Sequence, residues 1–535
     1  MTPLALILML SLSAGCVLAG RVLFHYFQLE SYQHPGYFRT LRRNVLKSFL
    51  PGTIEAIVWA LSLLLFAVLI PEDNDWLPVI CTSAAVLVCG VLLYRLSRDH
   101  HAKKQFRFTP RMKRLYAVSF FVFAGILIAL RFCVPAGEPA VSAVLFMLFP
   151  LFLPLWVALS GLVAWPIEKA ISEMYFRDAQ RILRERKDLI RIGITGSWGK
   201  TSVKFILGTI LSEKYNTLVT PSSFNTPMGV TRVIRSSLEP GHRVFIAEMG
   251  ARHVGDIKEM CRLVHPEIGI LTSVGPQHLD TFKTVERVAK TKYELIDALP
   301  ENGRCFFPDD QGICLDLFRK TAKPKSLSGL DADTDDVWAE EITVSPDGSH
   351  FTLCTRDFRI PCHTALLGEL NIRNIVLCAS VAISLGLTKE QIARGINRLV
   401  PVEHRLQLIP SAGGITIIDD AFNSNIRGAE QAFRVLKEFP PHRIIITPGM
   451  VELGKLEYDM NREFGEKMAA GCDTAILVGK KRCTAIREGL ISAGFPEDQI
   501  RVAESLDEAV SIMHTIARSG DTVLFENDLP DNYSE

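Results

Sequence analysis

No C-x-x-C pair occurs anywhere in the chain, although it contains 12 cysteines. Four of these, Cys16, Cys81, Cys89 and Cys133, lie in apolar runs and the rest are isolated. That pattern argues against a disulfide framework or a metal site and fits thiols packed as small apolar residues. Internal repeats and low-complexity tracts are also missing. Charge is nearly balanced, with 59 Lys+Arg against 58 Asp+Glu, and no nucleic-acid partner is expected. No basic residue precedes the first apolar run, and Ser13 stands where a lipoprotein cleavage site ahead of Cys16 prefers Leu. That run is therefore read as an uncleaved membrane span, with a signal peptide as the alternative.

What is present is unevenly distributed. At 535 residues there is room for about three domains. Residues 1 to about 170 carry the long apolar runs, and the remainder has the mixed charge and Gly/Pro punctuation of an α/β protein. Five runs approach the length that crosses a hydrocarbon core of about 30 Å as helices: Leu4 to Phe24, Ile54 to Ile70, Trp76 to Tyr94, Leu115 to Val134 and Val141 to Trp165. The second is short and could begin nearer Phe49. Pro150 and Pro154 predict a kink or tilt in the last. Arg39, Arg42, Arg43 and Lys47 follow the first run, and Arg95, Arg98, Lys103, Lys104, Arg107, Arg111, Lys113 and Arg114 follow or flank the third. The other two loops carry Glu72, Asp73, Asp75 and Glu138. The positive-inside rule then puts the N-terminus outside and everything after Trp165 in the cytoplasm.

Beyond the apolar runs, buried-strand segments such as "HRVFIAEMG", "EIGILTSVG", "GITIIDD", "RIIITPGM" and "TAILVG" alternate with amphipathic ones such as "VERVAKTKYELIDAL" and "YDMNREFGEKMAAG". This alternation predicts parallel sheets with helices on both faces and ligands at the carboxyl ends of strands. The stretch "RIGITGSWGKTSVKFILGTIL" reads as strand, glycine turn and helix. It brings Gly196, Gly199, Lys200, Thr201 and Ser202 to one helix N-terminus, where amides, an ammonium and hydroxyls suit a triphosphate and Mg²⁺. The long pattern G-x-x-x-x-G-K-[ST] fails, because its first glycine falls on Ile194, and the shorter T-G-x-x-G-K-[ST] fits. A purely structural strand-to-helix turn is the alternative. Glu248 ends one strand within expected reach of a cation on Thr201, since a hard metal takes oxygen ligands. His278 follows another strand. Lys290 and Lys292 sit beside Glu294 on a helix, where a solvated face with local ion pairs is the plain reading.

Eight ordered segments, "GITGSWGKTS", "FNTPMGV", "EMGARHVGDI", "TSVGPQHLDTF", "VAKTKYELIDAL", "GELNIRNI", "IDDAFNSN" and "GMVELG", resemble the Mur ligases, the bacterial ATP-dependent amide ligases of peptidoglycan synthesis. The likeness is closest to the type that adds D-alanyl-D-alanine and runs from about Ile190 to the C-terminus. The apolar runs give a membrane α-helical domain (1–170, about five spans), and the resemblance implies that α/β follows it, comprising an ATP-binding central domain (185–400) and a Rossmann-like C-terminal ligase domain (401–535). It also implies that Lys200 and Thr201 hold the β- and γ-phosphates and a first Mg²⁺, with Glu248 sharing the metal. His278 would ligate a second Mg²⁺ with a lysine carbamylated by CO₂, and the family form A-K-x-E selects Lys292 for this. Asn371 corresponds to an adenine-contacting residue, and Arg405 and Asp420 to nucleotide-binding residues of the closing C-terminal domain. Asn225 would face the acceptor, and Asn423 the incoming amine. The reaction implied makes an acyl phosphate from a carboxylate and ATP, then lets an amine displace phosphate.

Several departures stand beside the matches. Pro166 to Arg191 leaves no room for the family's UDP-gripping N-terminal domain. The usual "KGSR" near the end is replaced within "GDTVLFENDLPDNYSE", and "YNANP" becomes Phe422 to Ile426. D-N-P-R is absent. The expectation is a multi-pass bacterial inner-membrane ligase with cytoplasmic catalytic domains. Its acceptor would be muropeptide-like or lipid-linked, its amine an amino acid or dipeptide, and its neighbours other envelope-synthesis enzymes. A ligase for another polymer, such as poly-γ-glutamate, and a non-catalytic nucleotide-binding scaffold are the alternatives.

Overall fold

The apolar runs form helices in the computed structural model. It describes residues 3–69, 76–98, 105–134, 139–221, 224–277, 279–345, 347–410, 414–421, 426–440, 442–451, 453, 456–479 and 481–527. The chain divides into two units, residues 1–174 and 175–535.

In the first unit, Val45–Leu65, Trp76–Leu96, Pro110–Cys133 and Val141–Glu185 are long and apolar enough to cross a membrane. They make four candidate spans, or five if a bent pair counts as one. That pair is the first run. It does not form one straight helix to Phe24, but breaks at Gly20 into Pro3–Ala19 and Arg21–Leu29 with a 50° bend. Gly20 lowers the cost of leaving helical geometry. Arg21 draws the chain aside by donating to the Tyr94 carbonyl and lying over the Tyr94 and Phe106 rings. The kink expected at Pro150 and Pro154 occurs as a 3₁₀ turn, Phe149–Phe152, ahead of the long helix Leu153–Glu185. Pro3–Ala19 and Trp76–Leu96 pack backbone to backbone at Gly15 and Gly90, where a Cβ on Gly90 would lie 2.6 Å from the Gly15 carbonyl oxygen. Glu168 accepts a forked pair of bonds from Arg114 at 2.6 and 2.8 Å.

The second unit holds two sheets. The strands of the first are β1 (Ile190–Thr195), β2 (Thr217–Val219), β3 (Val244–Glu248), β4 (Ile268–Leu271), β5 (Arg304–Pro308), β6 (Lys325–Gly329), β7 (Val337–Ser345), β8 (Gly348–Thr355) and β9 (Arg359–Thr364). Their order is β2-β3-β1-β4-β5-β6-β7-β8-β9. From β2 to β7 neighbouring strands are parallel, as the alternation predicts. The expectation of parallel sheets fails from β7 to β9, which form antiparallel hairpins. There the strands run straight into tight turns, with no helix between them to carry a crossover. The first turn is closed by Gly348 at φ +125°.

The second sheet contains β10 (Gln407–Pro410), β11 (Thr416–Asp420), β12 (Arg443–Thr447), β13 (Thr474–Val478), β14 (Ile500–Ala503) and β15 (Thr522–Glu526), in the order β10-β11-β15-β12-β13-β14. It is parallel except for the edge strand β10. Helices cover both sheets. Val203, Ile206, Leu207 and Ile210 of helix Lys200–Leu211 are buried with Ile375, Val376 and Ala379 of helix Glu369–Ser384 over β1 and β3. The last turns of Leu153–Glu185, through Phe176, Ala179 and Leu183, join the core on the opposite face, which includes Phe245, Ala247 and Leu295.

Candidate active site

The central strand β1 is buried at Gly193, Ile194 and Thr195 and then ends in the glycine turn. Two glycines there answer to geometry. A Cβ on Gly196 would lie 2.1 Å from Thr272 Oγ1, and Gly199 adopts φ +80° immediately before the helix. The loop is tied to the segment after β4. Trp198 N–H donates to Ser273 Oγ at 2.8 Å, Ser273 and Thr272 hydroxyls donate to the Trp198 carbonyl, and Ser197 Oγ donates to the Gly275 carbonyl. The loop so held runs directly into the N-terminus of helix Lys200–Leu211, an end that favours anions.

Lys200 is half-buried, and its ammonium donates to the Gly196 and Ser197 carbonyls at 2.6 and 3.0 Å. Burial pulls its pKa down to about 8, with Glu248 opposing that shift and Arg405 adding to it. Thr201 Oγ1 donates to Glu248 Oε2 at 3.0 Å, and Asn225 Nδ2 donates to Glu248 Oε1 at 3.0 Å. Burial pushes the Glu248 carboxyl up, but Lys204, Asn225 and Lys200 together hold it below its ordinary value. Ser202 is buried in the same first turn. The candidate residues Gly196, Gly199, Lys200, Thr201, Ser202, Asn225 and Glu248 thus meet at the carboxyl ends of β1 and β3.

Lys292 and Lys290 separate on helix Val285–Ala298. Lys292 is only 1% exposed, whereas Lys290 is exposed. Burial, followed by the charge of Lys200, holds Lys292 well below the ordinary lysine pKa. Among the described residues its ammonium makes no hydrogen bond or ion pair. Glu294 departs from the expected local ion pairing. Its carboxylate accepts the Gly255 and Lys258 backbone N–H groups at 2.9 Å each, capping helix Asp256–Val264.

From the second sheet, Asp420 ends β11 and its Oδ1 accepts the Leu406 N–H at 3.1 Å. Burial raises its pKa to about 6, against the pull of Arg405 and a bond from Glu526. Arg405, half-buried, is close enough for its charge to act on Lys200, Lys204 and Glu248. Asn371 donates from Nδ2 to the Leu367 carbonyl at 2.8 Å in the first turn of its helix. His278 and Asn423 lie outside the described residues.

Residues 194–382 match the Mur ligase middle domain, and residues 404–526 match the Mur ligase glutamate ligase domain. The UDP-N-acetylmuramoyl-tripeptide–D-alanyl-D-alanine ligase of Escherichia coli is 31% identical over 329 residues, covering 60% of this chain and 73% of the relative. The chain belongs to the Mur ligase family.

The Mycobacterium tuberculosis ligase of the same name is 30% identical over 357 residues, covering 62% of this chain and 69% of the relative. Two solved Mur ligases share the fold. MurF from Acinetobacter baumannii has a TM-score of 0.61 at 23% identity over 67% of this chain and 77% of its own. MurF from Thermotoga maritima in complex with ADP has a TM-score of 0.59 at 23% identity over 67% and 80%. The protein is therefore an enzyme of the Mur ligase type, a class that uses ATP and Mg²⁺. Residues that motif reading passed over also line this candidate site. Lys204 is fully buried with its Nζ 3.0 Å from Glu248 Oε2. Asn374 is buried with its Oδ1 3.5 Å from where a Cβ on Gly199 would stand. A lysine at K-T-S-V-K carries no signal of its own in a helix with mixed polarity. Asn374 lies one helical turn from Asn371, and that spacing was the available clue.

Proposed function

We propose that the protein is a membrane-anchored ligase that joins the carboxylate of a muropeptide-like acceptor to the amine of an amino acid or dipeptide at the expense of ATP. The convergence of Lys200, Thr201, Glu248 and Lys292 at one end of the first sheet carries this reading. The acceptor carboxylate oxygen attacks the γ-phosphorus of ATP, ADP leaves, and an acyl phosphate results. The amine nitrogen then attacks the acyl carbon, phosphate leaves, and the nitrogen loses a proton. Lys200 and the loop amides bind the phosphates and meet the charge that moves onto them. Thr201 and Glu248 offer hard oxygen ligands that fit Mg²⁺. Bound Mg²⁺ would neutralise charge on the phosphoryl oxygens. Arg405 and Asp420 bring the C-terminal domain to the nucleotide, with Asn371 toward the adenine. Asn225 and Asn423 serve the acceptor and the amine.

Lys292 fits the carbamylated position on its chemistry. A buried amine with a depressed pKa and no hydrogen bond or ion pair among the described residues is the free-base nucleophile that CO₂ requires, and the product would be an anionic oxygen ligand for a second Mg²⁺ with His278. The four or five apolar spans support an inner-membrane location, which would trade binding energy for a UDP handle against effective concentration at a membrane-presented acceptor. The C-terminal domain match supports this cell-wall reading over another polymer. D-Alanyl-D-alanine, named in the relatives' activity, is the first amine to test. Phosphate release by the full chain, assayed against panels of muropeptide acceptors and of amines, tests the reading. ATP turnover that needs neither substrate would overturn it.

A further inference from the structure

One turn beyond Lys200, the same helix carries a second lysine with a different task. Lys200 turns back to the loop carbonyls. Lys204, fully buried, points to the end of β3, where its Nζ lies 3.0 Å from Glu248 Oε2, and Glu248 itself is 1% exposed. That oxygen also accepts the Thr201 hydroxyl at 3.0 Å, Oε1 accepts Asn225 Nδ2, and the Glu248 backbone N–H donates to Thr220 Oγ1. The carboxylate is therefore held on both oxygens from two separate segments, helix Lys200–Leu211 and the segment of Asn225, and Lys204 supplies the only formal charge among those bonds. Taken as glue between helix and sheet, a buried ion pair is a poor choice, because an apolar pair of similar volume serves as well or better. The arrangement makes sense if the carboxylate has to stay charged and aimed.

We propose that Lys204 is a positioning residue of the nucleotide–metal site, holding Glu248 in the orientation from which it serves Mg²⁺ beside Thr201. Lys204 touches neither nucleotide nor metal in this scheme and acts through Glu248. The proposal rests on the reading of Thr201 and Glu248 as the metal-binding pair, and the experiment separates the two.

ADP binding to the full-length detergent-solubilised protein is titrated calorimetrically across a range of Mg²⁺ concentrations, with melting temperature recorded for each variant. Wild type should bind ADP more tightly as Mg²⁺ rises; if it does not, the metal-site reading itself fails. Lys204→Met should keep the Mg²⁺-free ADP affinity but need about 10–100-fold more Mg²⁺ for half-maximal tightening, the usual effect of losing a partner that orients a metal ligand. If that variant does not fold, Lys204→Gln, which keeps a donor without the charge, is measured in the same way and should show a smaller shift in the same direction. An unchanged Mg²⁺ requirement in a folded variant, or a loss of Mg²⁺-free affinity in step with the melting temperature, overturns the proposal.

Discussion

The first 174 residues and the remainder place apolar and polar groups in opposite ways. In the helical unit, large apolar side chains face outward, with Leu46 at 83%, Leu96 at 80% and Phe132 at 73% exposure. Inside it, Trp59, Thr82 and Ser119 have buried polar atoms without a hydrogen-bond partner among the described residues. In the α/β unit, exposed large apolar side chains are few and scattered, and Lys204 and Glu248 are buried as a pair, while Lys292 is buried with no hydrogen bond or ion pair among the described residues. An outward apolar surface of that extent is costly in water and favourable in hydrocarbon. The first unit thus presents its large apolar side chains outward, whereas the second gathers them in the cores beneath its two sheets.

The sharpest way to break that division is through the phosphate loop. Lys200→Ala should lower ligation by about 10²–10³-fold or more, as expected for losing a donor aimed at developing charge, while the melting temperature stays near that of wild type. Phosphate release and a thermal scan check both halves, and unchanged turnover removes the loop assignment. Next, Lys292→Ala should be nearly inactive and partly rescued by added short carboxylates, whereas Lys290→Ala should keep most activity. The reverse pattern would move the second metal site to Lys290. In the helical unit, Gly90→Val should cost about 1–3 kcal/mol through overpacking against Gly15, read as a lower melting temperature in detergent with ADP affinity intact. A reporter fused after Trp165 should read cytoplasmic and one at Asp73 external; the same reading for both ends the five-span topology. The smallest effect belongs to a cap far from the site. Thr388 and Gln391 form a capping box at helix Lys389–Asn397, and Thr388→Ala should lower stability by about 1 kcal/mol without changing turnover.

What could be seen in advance depended on whether the signal was local. The strand, glycine turn and Lys-Thr of the phosphate loop lie within a dozen residues, and the structure folds them as strand, turn and helix. Lys204 was hidden because its partner is 44 residues away, and a lysine on a helix reads as solvated until the neighbouring strand is placed. The break at Gly20 was hidden for a related reason, since Arg21 is pulled by Tyr94 and Phe106, which lie far along the chain. Glu294 looked like half of an ion pair on its own helix, yet its carboxylate caps another helix 36 to 39 residues earlier. The β7–β9 hairpins broke the parallel rule where helices stop separating strands.

Amide formation by ATP activation of a carboxylate, as proposed, must couple phosphate release to amide one for one. Full-length protein in lipid vesicles, given ATP, Mg²⁺, a UDP- or lipid-linked muropeptide and D-alanyl-D-alanine or another amine, should release phosphate and form amide in equal amounts, and only when both substrates are present. The Lys200→Ala chain should do neither. Phosphate release without amide, or amide formation that survives Lys200→Ala, would contradict the account.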